Sequence, residues 1–271
     1  MTVLVTGGSG LVGARLVPRL VAAGVNIRAL VRGGKEVAVG VTSARGDLLD
    51  PASLAQAVEG VSAIVHLAAV FRTQDTNLIW KSNLEGTRNL IAAAMAHASN
   101  ARFIMASTGL VYNEDSPRPG REDDAVNPQK AYPASKLAAE NELRASGLNW
   151  SIQRFPFIYG DKDGHLEMLP KLAVDASWHP AQRMSLTHHR DIATAVNLGL
   201  AGAMDRRIVN FTDEAPTSIY ELVELIGETM EPSSKPLANP WYIHMNGSLA
   251  RRLGFQPTVR TVYQAAQEGL L

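Results

Sequence analysis

Tyr132 and Lys136 stand four residues apart in Tyr132-Pro133-Ala134-Ser135-Lys136. On a helix, positions i and i+4 share a face, so a phenol and an ammonium can project into one site. The ammonium is expected to favour the phenolate and draw the phenol down toward working pH, which would make Tyr132 a usable general acid/base. Pro133 falls in the first turn, where its missing N–H is not needed. Upstream lies Ala106-Ser107-Thr108-Gly109-Leu110-Val111-Tyr112. The Thr108 hydroxyl could hydrogen-bond a carbonyl or alcohol oxygen beside Tyr132, or close a local turn onto its own backbone. A third feature opens the chain, Thr6-Gly7-Gly8-Ser9-Gly10-Leu11-Val12-Gly13. Gly7 permits a tight turn, Gly10 lets backbone approach a diphosphate, and Gly13 allows a helix to pack closely on a strand. The N–H groups of Ser9, Leu11 and Val12 would then face the anion at a helix N-terminus.

These residues need a scaffold, and the apolar pattern supplies one. Val3–Thr6, Asn26–Val31, Val41–Arg45, Ala63–Leu67, Arg102–Ala106 and Trp150–Phe155 read as strands. Leu11–Ala23, Pro51–Val58, Asn77–Ala98 and Tyr132–Ser146 read as helices, with Gly24 capping the first and Pro18 expected to kink it. Strands apolar throughout, alternating with helices, predict an α/β fold with a doubly wound parallel sheet. Past residue 160 the alternation weakens, so a small C-terminal lobe is expected. Residues 1–160 with part of 188–212 would form the dinucleotide-binding domain, and 161–187 with 213–271 a substrate lobe.

Composition narrows the class. The 271 residues carry 26 basic and 26 acidic side chains, 46% hydrophobic residues and 19% charged ones. Zero net charge gives no basic footprint for nucleic acid or an anionic membrane. No apolar run reaches the roughly 18 residues that span a bilayer. Met-Thr-Val-Leu-Val enters a strand at once, so no signal peptide and a cytoplasmic location are expected. Without cysteine there is no thiolate nucleophile and no thiolate metal site. The seven histidines form no ligand motif, and the adjacent His188 and His189 read as structural or lobe residues.

At the end of the second strand, where an NAD enzyme usually places Asp or Glu for the ribose 2′-hydroxyl, stand Val31, Arg32, Gly33, Gly34 and Lys35. Arg32 could pair with a 2′-phosphate, which favours NADP over NAD. Asp47, in Gly46-Asp47-Leu48, could accept from the adenine amino group or cap a turn.

The chain resembles the extended short-chain dehydrogenases/reductases, the group that includes UDP-galactose 4-epimerase, nucleotide-sugar dehydratases and dihydroflavonol-type reductases. The glycines at 7, 10 and 13 have that family's spacing. Gly46-Asp47-Leu48, His66-Leu67-Ala68-Ala69, Asn83-Leu84-Glu85-Gly86-Thr87, Ser107-Thr108 with Val111-Tyr112, and Tyr132 with Lys136 resemble successive motifs. Arg154 to Gly160, Arg190-Asp191-Ile192-Ala193 and Leu253-Gly254-Phe255-Gln256-Pro257 continue the match. The resemblance implies a Rossmann fold in which Tyr132 transfers the proton, Lys136 holds the nicotinamide ribose and Thr108 orients the oxygen. It further implies cofactor contacts at Leu48, Leu67, Ala68, Ala69, Asn83, Ser107, Phe155, Pro156 and Ile158. It also implies a homodimer through the helices 77–98 and 128–146, burying positions of the Ile91 and Leu143 type.

Departures matter too. Phe157 replaces the Asn of Arg-x-x-Asn, and the sugar-nucleotide clasp is reduced to Gln182-Arg183. Phe155, Phe157, Leu166, Met168 and Trp178 would instead offer an apolar wall, unless they are lobe core. The acidic run Glu122, Asp123 and Asp124 could approach the substrate or form a solvated loop. The expected function is an NAD(P)-dependent oxidoreductase acting on a carbonyl/alcohol pair of a modest-sized, fairly apolar small-molecule substrate. The alternatives are a nucleotide-sugar epimerase/dehydratase with transient hydride transfer, and a non-catalytic dinucleotide sensor, against which Tyr132 and Lys136 argue.

Overall fold

The structure is a computed structural model that describes residues 1–33 and 37–271; Gly34 and Lys35 of the basic run lie outside the described residues. In chain order its first elements are β1 (Thr2–Thr6), α1 (Gly13–Ala22), β2 (Asn26–Val31), β3 (Val41–Arg45), α2 (Pro51–Val58) and β4 (Ala63–His66). Then come α3 (Thr76–Trp80), a π-helical turn (Lys81–Glu85), α4 (Gly86–His97), β5 (Arg102–Thr108), α5 (Ala131–Ala145) and β6 (Asn149–Phe155). Short elements follow: β7 (Phe157–Tyr159), α6 (Leu169–Asp175), β8 (Arg183–Met184), β9 (Leu186–His188), α7 (His189–Leu200), β10 (Arg207–Asn210), β11 (Thr217–Ser218), α8 (Ile219–Leu225), α9 (Ser248–Arg252) and α10 (Val262–Gln267).

Seven strands form one parallel sheet in the order β3-β2-β1-β4-β5-β6-β10. The chain winds outward from β1 in one direction and from β4 in the other. Their carboxyl ends therefore border the crevice where doubly wound sheets take ligands. The period-two alternation of the strands decides the layers. Val3, Val5, Val65 and Ile104 share a core with Leu16, Val17 and Leu20 of α1 and Ile192, Val196 and Leu200 of α7. Leu4, Ile64, Phe103 and Met105 share another with Leu54 of α2, Leu90 of α4 and Leu143 of α5. Each such side chain contributes about 1.5–3 kcal/mol by leaving water.

Several local expectations meet their outcome here. Gly24 takes φ +81° after α1, and the Val25 N–H reaches back to the Leu20 carbonyl, a left-handed helix cap. The helix runs through Pro18 unbroken. The single helix expected over 77–98 is instead three pieces, because residues 81–85 widen into a π turn. The seventh strand, β10, was not anticipated: four residues with only two buried give little periodicity to read.

The C-terminal half contributes a further core of Tyr159, Leu166, Leu169, Leu186, Leu222 and Val262, among others. It overturns most of the expected apolar wall. Leu166 is buried in this core, and Phe157 and Trp178 pack against it. Phe155 is buried in the sheet core, stacked 5.7 Å from Phe211. Burial removes more apolar surface from water than lining an open site would. Of the five, only Met168 is exposed.

Candidate active site

The glycine turn is held shut by backbone. Gly7 takes φ +73°, and a Cβ there would meet the Ala68 N at 2.7 Å. A Cβ on Gly13 would lie 2.2 Å from the Gly7 carbonyl oxygen, so α1 can pack this closely only with glycine at its start. At Gly10 the one near atom is the same carbonyl oxygen, at 3.2 Å. Ser9, Gly10 and Leu11 are exposed, and the first turn of α1 leaves N–H groups for an anion.

Beside this turn an open cleft is lined by Thr6, Gly7, Ser9, Val31, Arg32, Asp47, Leu48, Ala68 and Ala69, with a few neighbours. Seven of the residues expected at the dinucleotide thus meet in one place. Arg32 and Asp47 sit in the same cleft, at the ends of β2 and β3. The Asp47 carboxylate accepts from the Leu49 N–H at 2.9 Å, so it closes a turn; its second oxygen has no hydrogen bond among the described residues. Leu67 and Val12 are half-buried near the cleft and pack on the sheet core.

Tyr132 and Lys136 lie on the first turns of α5, and Thr108 ends β5. The Thr108 hydroxyl oxygen accepts from the Leu110 N–H at 3.1 Å, the local turn contact, while its proton stays available. The Tyr132 ring lies under Phe71, centroids 4.2 Å apart. Removal from water pushes the phenol up to about 12, and Arg72 pulls it part of the way back. The expectation that Lys136 lowers it is therefore corrected. Burial outweighs the charge, and the charge that opposes burial is Arg72. Lys136 is itself drawn down to about 8 by burial, with Glu140 holding it up, and its charge acts on His66.

Two buried polar groups fix α5. On the β4 side, the Thr87 hydroxyl donates to the Asn83 carbonyl at 2.6 Å, so it must accept from His66 Nε2 at 2.9 Å. That leaves His66 Nδ1 to accept from the Thr6 hydroxyl at 2.6 Å. Burial, with Lys136 adding to it, drives the ring down to about 3, so His66 is neutral. The Asn83 amide oxygen accepts from the Val70 N–H at 2.7 Å, and its NH₂ donates to the Val70 carbonyl and to the Ser135 hydroxyl. Ser135 donates to the Tyr132 carbonyl at 2.7 Å. Turning Asn83 inward is the service the π turn performs, since such bulges reorient single side chains. Asn83 was expected to touch the cofactor; its side chain instead ties the loop after β4 to α5.

On the β6 side, Arg154 grips Glu140 through two hydrogen bonds at 2.7 and 3.1 Å, both side chains almost fully buried. Ser107 donates to the same carboxylate at 2.5 Å, so its hydroxyl serves this pair rather than the cofactor. Arg154 also donates to the Tyr112 hydroxyl, which donates to Asn210 on β10. Phe155, buried as described, can offer a cofactor only its backbone; Pro156 and Ile158 are half-buried. Ile91 and Leu143 are buried inside the chain's own core, so a dimer cannot use them. Glu122 accepts from the Asn210 N–H and Asp124 pairs with Arg118 at 2.6 Å, so these two acids brace loops. His188 caps α7, accepting from the Arg190 N–H, and His189 donates to Asp163 at 2.8 Å. Phe71, Arg72 and the His66 chain were missed by sequence reasoning. For His66 the signal was its place at the end of a buried strand.

The family model for NAD dependent epimerases/dehydratases matches residues 3–201. The chain belongs to this family. It is an enzyme of the extended short-chain dehydrogenase/reductase type. It is 30% identical over 253 residues to the 4-hydroxy-2-methyl-3-oxo-4-farnesyl-3,4-dihydroquinoline-1-oxide ketoreductase of Stigmatella aurantiaca, covering 84% of this chain and 73% of that protein. Among solved structures it is similar to a short-chain dehydrogenase/reductase superfamily protein from Agrobacterium tumefaciens with bound NAD, at TM-score 0.81 and 24% identity, covering 99% of this chain and 95% of that one. It is also similar to a UDP-glucose 4-epimerase, at TM-score 0.82 and 21% identity, covering 98% and 95%. At these identities the two structures speak for the fold. No helix among the described residues is long and apolar enough to cross a membrane.

Proposed function

We propose that this chain is an NADP-preferring oxidoreductase that reduces a carbonyl group on a modest-sized, fairly apolar substrate, with residues 161–187 and 213–271 covering the substrate. The observation that carries this reading is the phenol of Tyr132, protonated well above neutral pH, one helical turn from a buried ammonium at the carboxyl edge of the sheet. A neutral phenol is a proton donor, which suits reduction. The residues present fit a dinucleotide: the α1 N-terminus and the glycine turn suit a diphosphate, Asp47 an adenine amino group, and Arg32 a 2′-phosphate. When bound, that group supplies the hydride.

The protein's own residues do the rest. Thr108 donates its free proton to the substrate oxygen and fixes its position. Tyr132 delivers a proton to that oxygen as negative charge builds on it. Lys136 binds the ribose hydroxyls. His66, through Thr87 and Asn83, holds the Ala68–Val70 loop against α5. The Stigmatella aurantiaca relative is named for a ketone bearing a farnesyl group, which supports an apolar substrate. Phe157 in place of an amide argues against a sugar nucleotide. We also propose a homodimer through exposed positions of α4 and α5, such as Met95.

Two measurements test this reading. Nicotinamide absorbance should fall during turnover of ketones; no net change with conversion of a nucleotide sugar would assign an epimerase instead. Arg32→Ala should weaken NADP binding about tenfold or more, the scale of a lost charge-assisted contact, and leave NAD near its wild-type affinity. A protein that prefers NAD, with NADP binding unchanged in the variant, would end the 2′-phosphate assignment.

A further inference from the structure

Arg72 stands at the mouth of the site with no ion pair among the described residues. It follows Phe71, whose ring covers Tyr132, and its guanidinium lies 5.3 Å from the Phe71 centroid. Its one hydrogen bond among the described residues goes to the Met168 sulfur at 3.5 Å, a weak acceptor. A guanidinium has five N–H donors in a fork that matches a carboxylate, so most of its capacity is unspent. Asp163, the acid whose charge reaches it, is committed elsewhere. One Asp163 oxygen accepts from His189 at 2.8 Å, and the other from the His165 N–H at 2.9 Å. The backbone at Arg72 takes φ +57°, a left-handed conformation that costs a non-glycine residue energy and recurs at ligand clamps. Around the cation, Phe71 and Met168 are exposed at 48% and 42%. Phe71 stacks on Tyr132 at 4.2 Å between centroids, so this apolar rim borders the phenol.

A cation set in an apolar rim beside the proton donor selects for an amphiphilic acid. We propose that Arg72 is a specificity residue that holds a carboxylate on the substrate, and that the substrate class is carbonyl or hydroxy acids with an apolar chain. This rests on the oxidoreductase reading above, in that the carboxylate is placed beside the carbonyl that Thr108 and Tyr132 address. Bidentate pairing would fix the acid's orientation, and the chain would lie on Phe71 and Met168.

Octanoate and octanamide, equal in length and differing in charge, probe the site by calorimetry on the full chain with saturating NADP. Octanoate should bind at least about tenfold tighter than octanamide, the scale of a charge-assisted pair. In Arg72→Gln the ratio should fall toward one, and Arg72→Lys, which keeps the charge but loses the fork, should sit between. Equal affinities in the wild type, no measurable octanoate binding, or a ratio untouched by Arg72→Gln would each overturn the proposal. The two readings fail separately. A chain that reduces neutral ketones without preference for acids keeps the oxidoreductase reading and loses Arg72. One that binds octanoate through Arg72 yet never changes nicotinamide absorbance does the reverse.

Discussion

On the β4 side of α5 the buried polar groups are neutral: Thr6, His66, Thr87, Asn83 and Ser135 pass hydrogen bonds from sheet to helix. On the β6 side they are ionic: Glu140 and Arg154, 1% and 2% exposed, are braced by Ser107 and Tyr112. Both anchor the helix that carries Tyr132 and Lys136, but their sensitivity to damage should differ. A neutral chain that loses a member leaves dipoles unsatisfied; an ion pair that loses a partner leaves a buried charge. On the neutral side, Thr6 lines the cleft. The ionic side lies beneath the helix, where a charge can be fully enclosed.

The sharpest way to break this contrast is Arg154→Met, which strands Glu140. It should cost about 3–5 kcal/mol in urea unfolding, whereas removing both charges with Glu140→Leu should cost less than the sum of the single changes. A cost near 1 kcal/mol for Arg154→Met would erase the distinction. His66→Leu should cost about 1–3 kcal/mol by leaving Thr6 and Thr87 without their partner. It should also change the pH dependence. The ring stays neutral in the folded chain down to about 3 but titrates near 6.5 once unfolded, so between those values the unfolded chain binds more protons. Wild-type stability should therefore fall as pH drops from 6.5 toward 3, by up to about 1.4 kcal/mol per pH unit from this group, and His66→Leu should remove that slope. Identical pH profiles would mean His66 is not held neutral. The smallest effect belongs to the exposed pair Arg88–Glu142, at 2.6 Å between α4 and α5. Arg88→Ala should cost under about 1 kcal/mol.

Much of this molecule was legible beforehand, and the limits have physical causes. The inner strands of the sheet announce themselves because both faces are covered, which leaves runs such as Val3-Leu4-Val5 with no polar interruption; the edge strand β3 is largely exposed. The glycine turn was readable because backbone leaves no room for a Cβ at Gly7 or Gly13. The π turn was not, since its cause is a tertiary bond from Asn83 to Val70 and Ser135 rather than anything in the helical period. Spacing gives the Lys136 charge but not the burial and the Arg72 charge that set the Tyr132 phenol. Ser107 was placed at the cofactor because the sequence shows a hydroxyl at a strand end. Only the fold shows Glu140 lying against it.

In the proposed reaction the Tyr132 phenol is the proton donor beside a bound nicotinamide. The most direct measurement is kcat of Tyr132→Phe, followed by nicotinamide absorbance at saturating cofactor and a ketone the wild type reduces, with folding checked by circular dichroism. A loss of about 100-fold or more is expected, the usual scale for removing a positioned acid/base. A correctly folded variant that turns over at the wild-type rate would contradict the assignment.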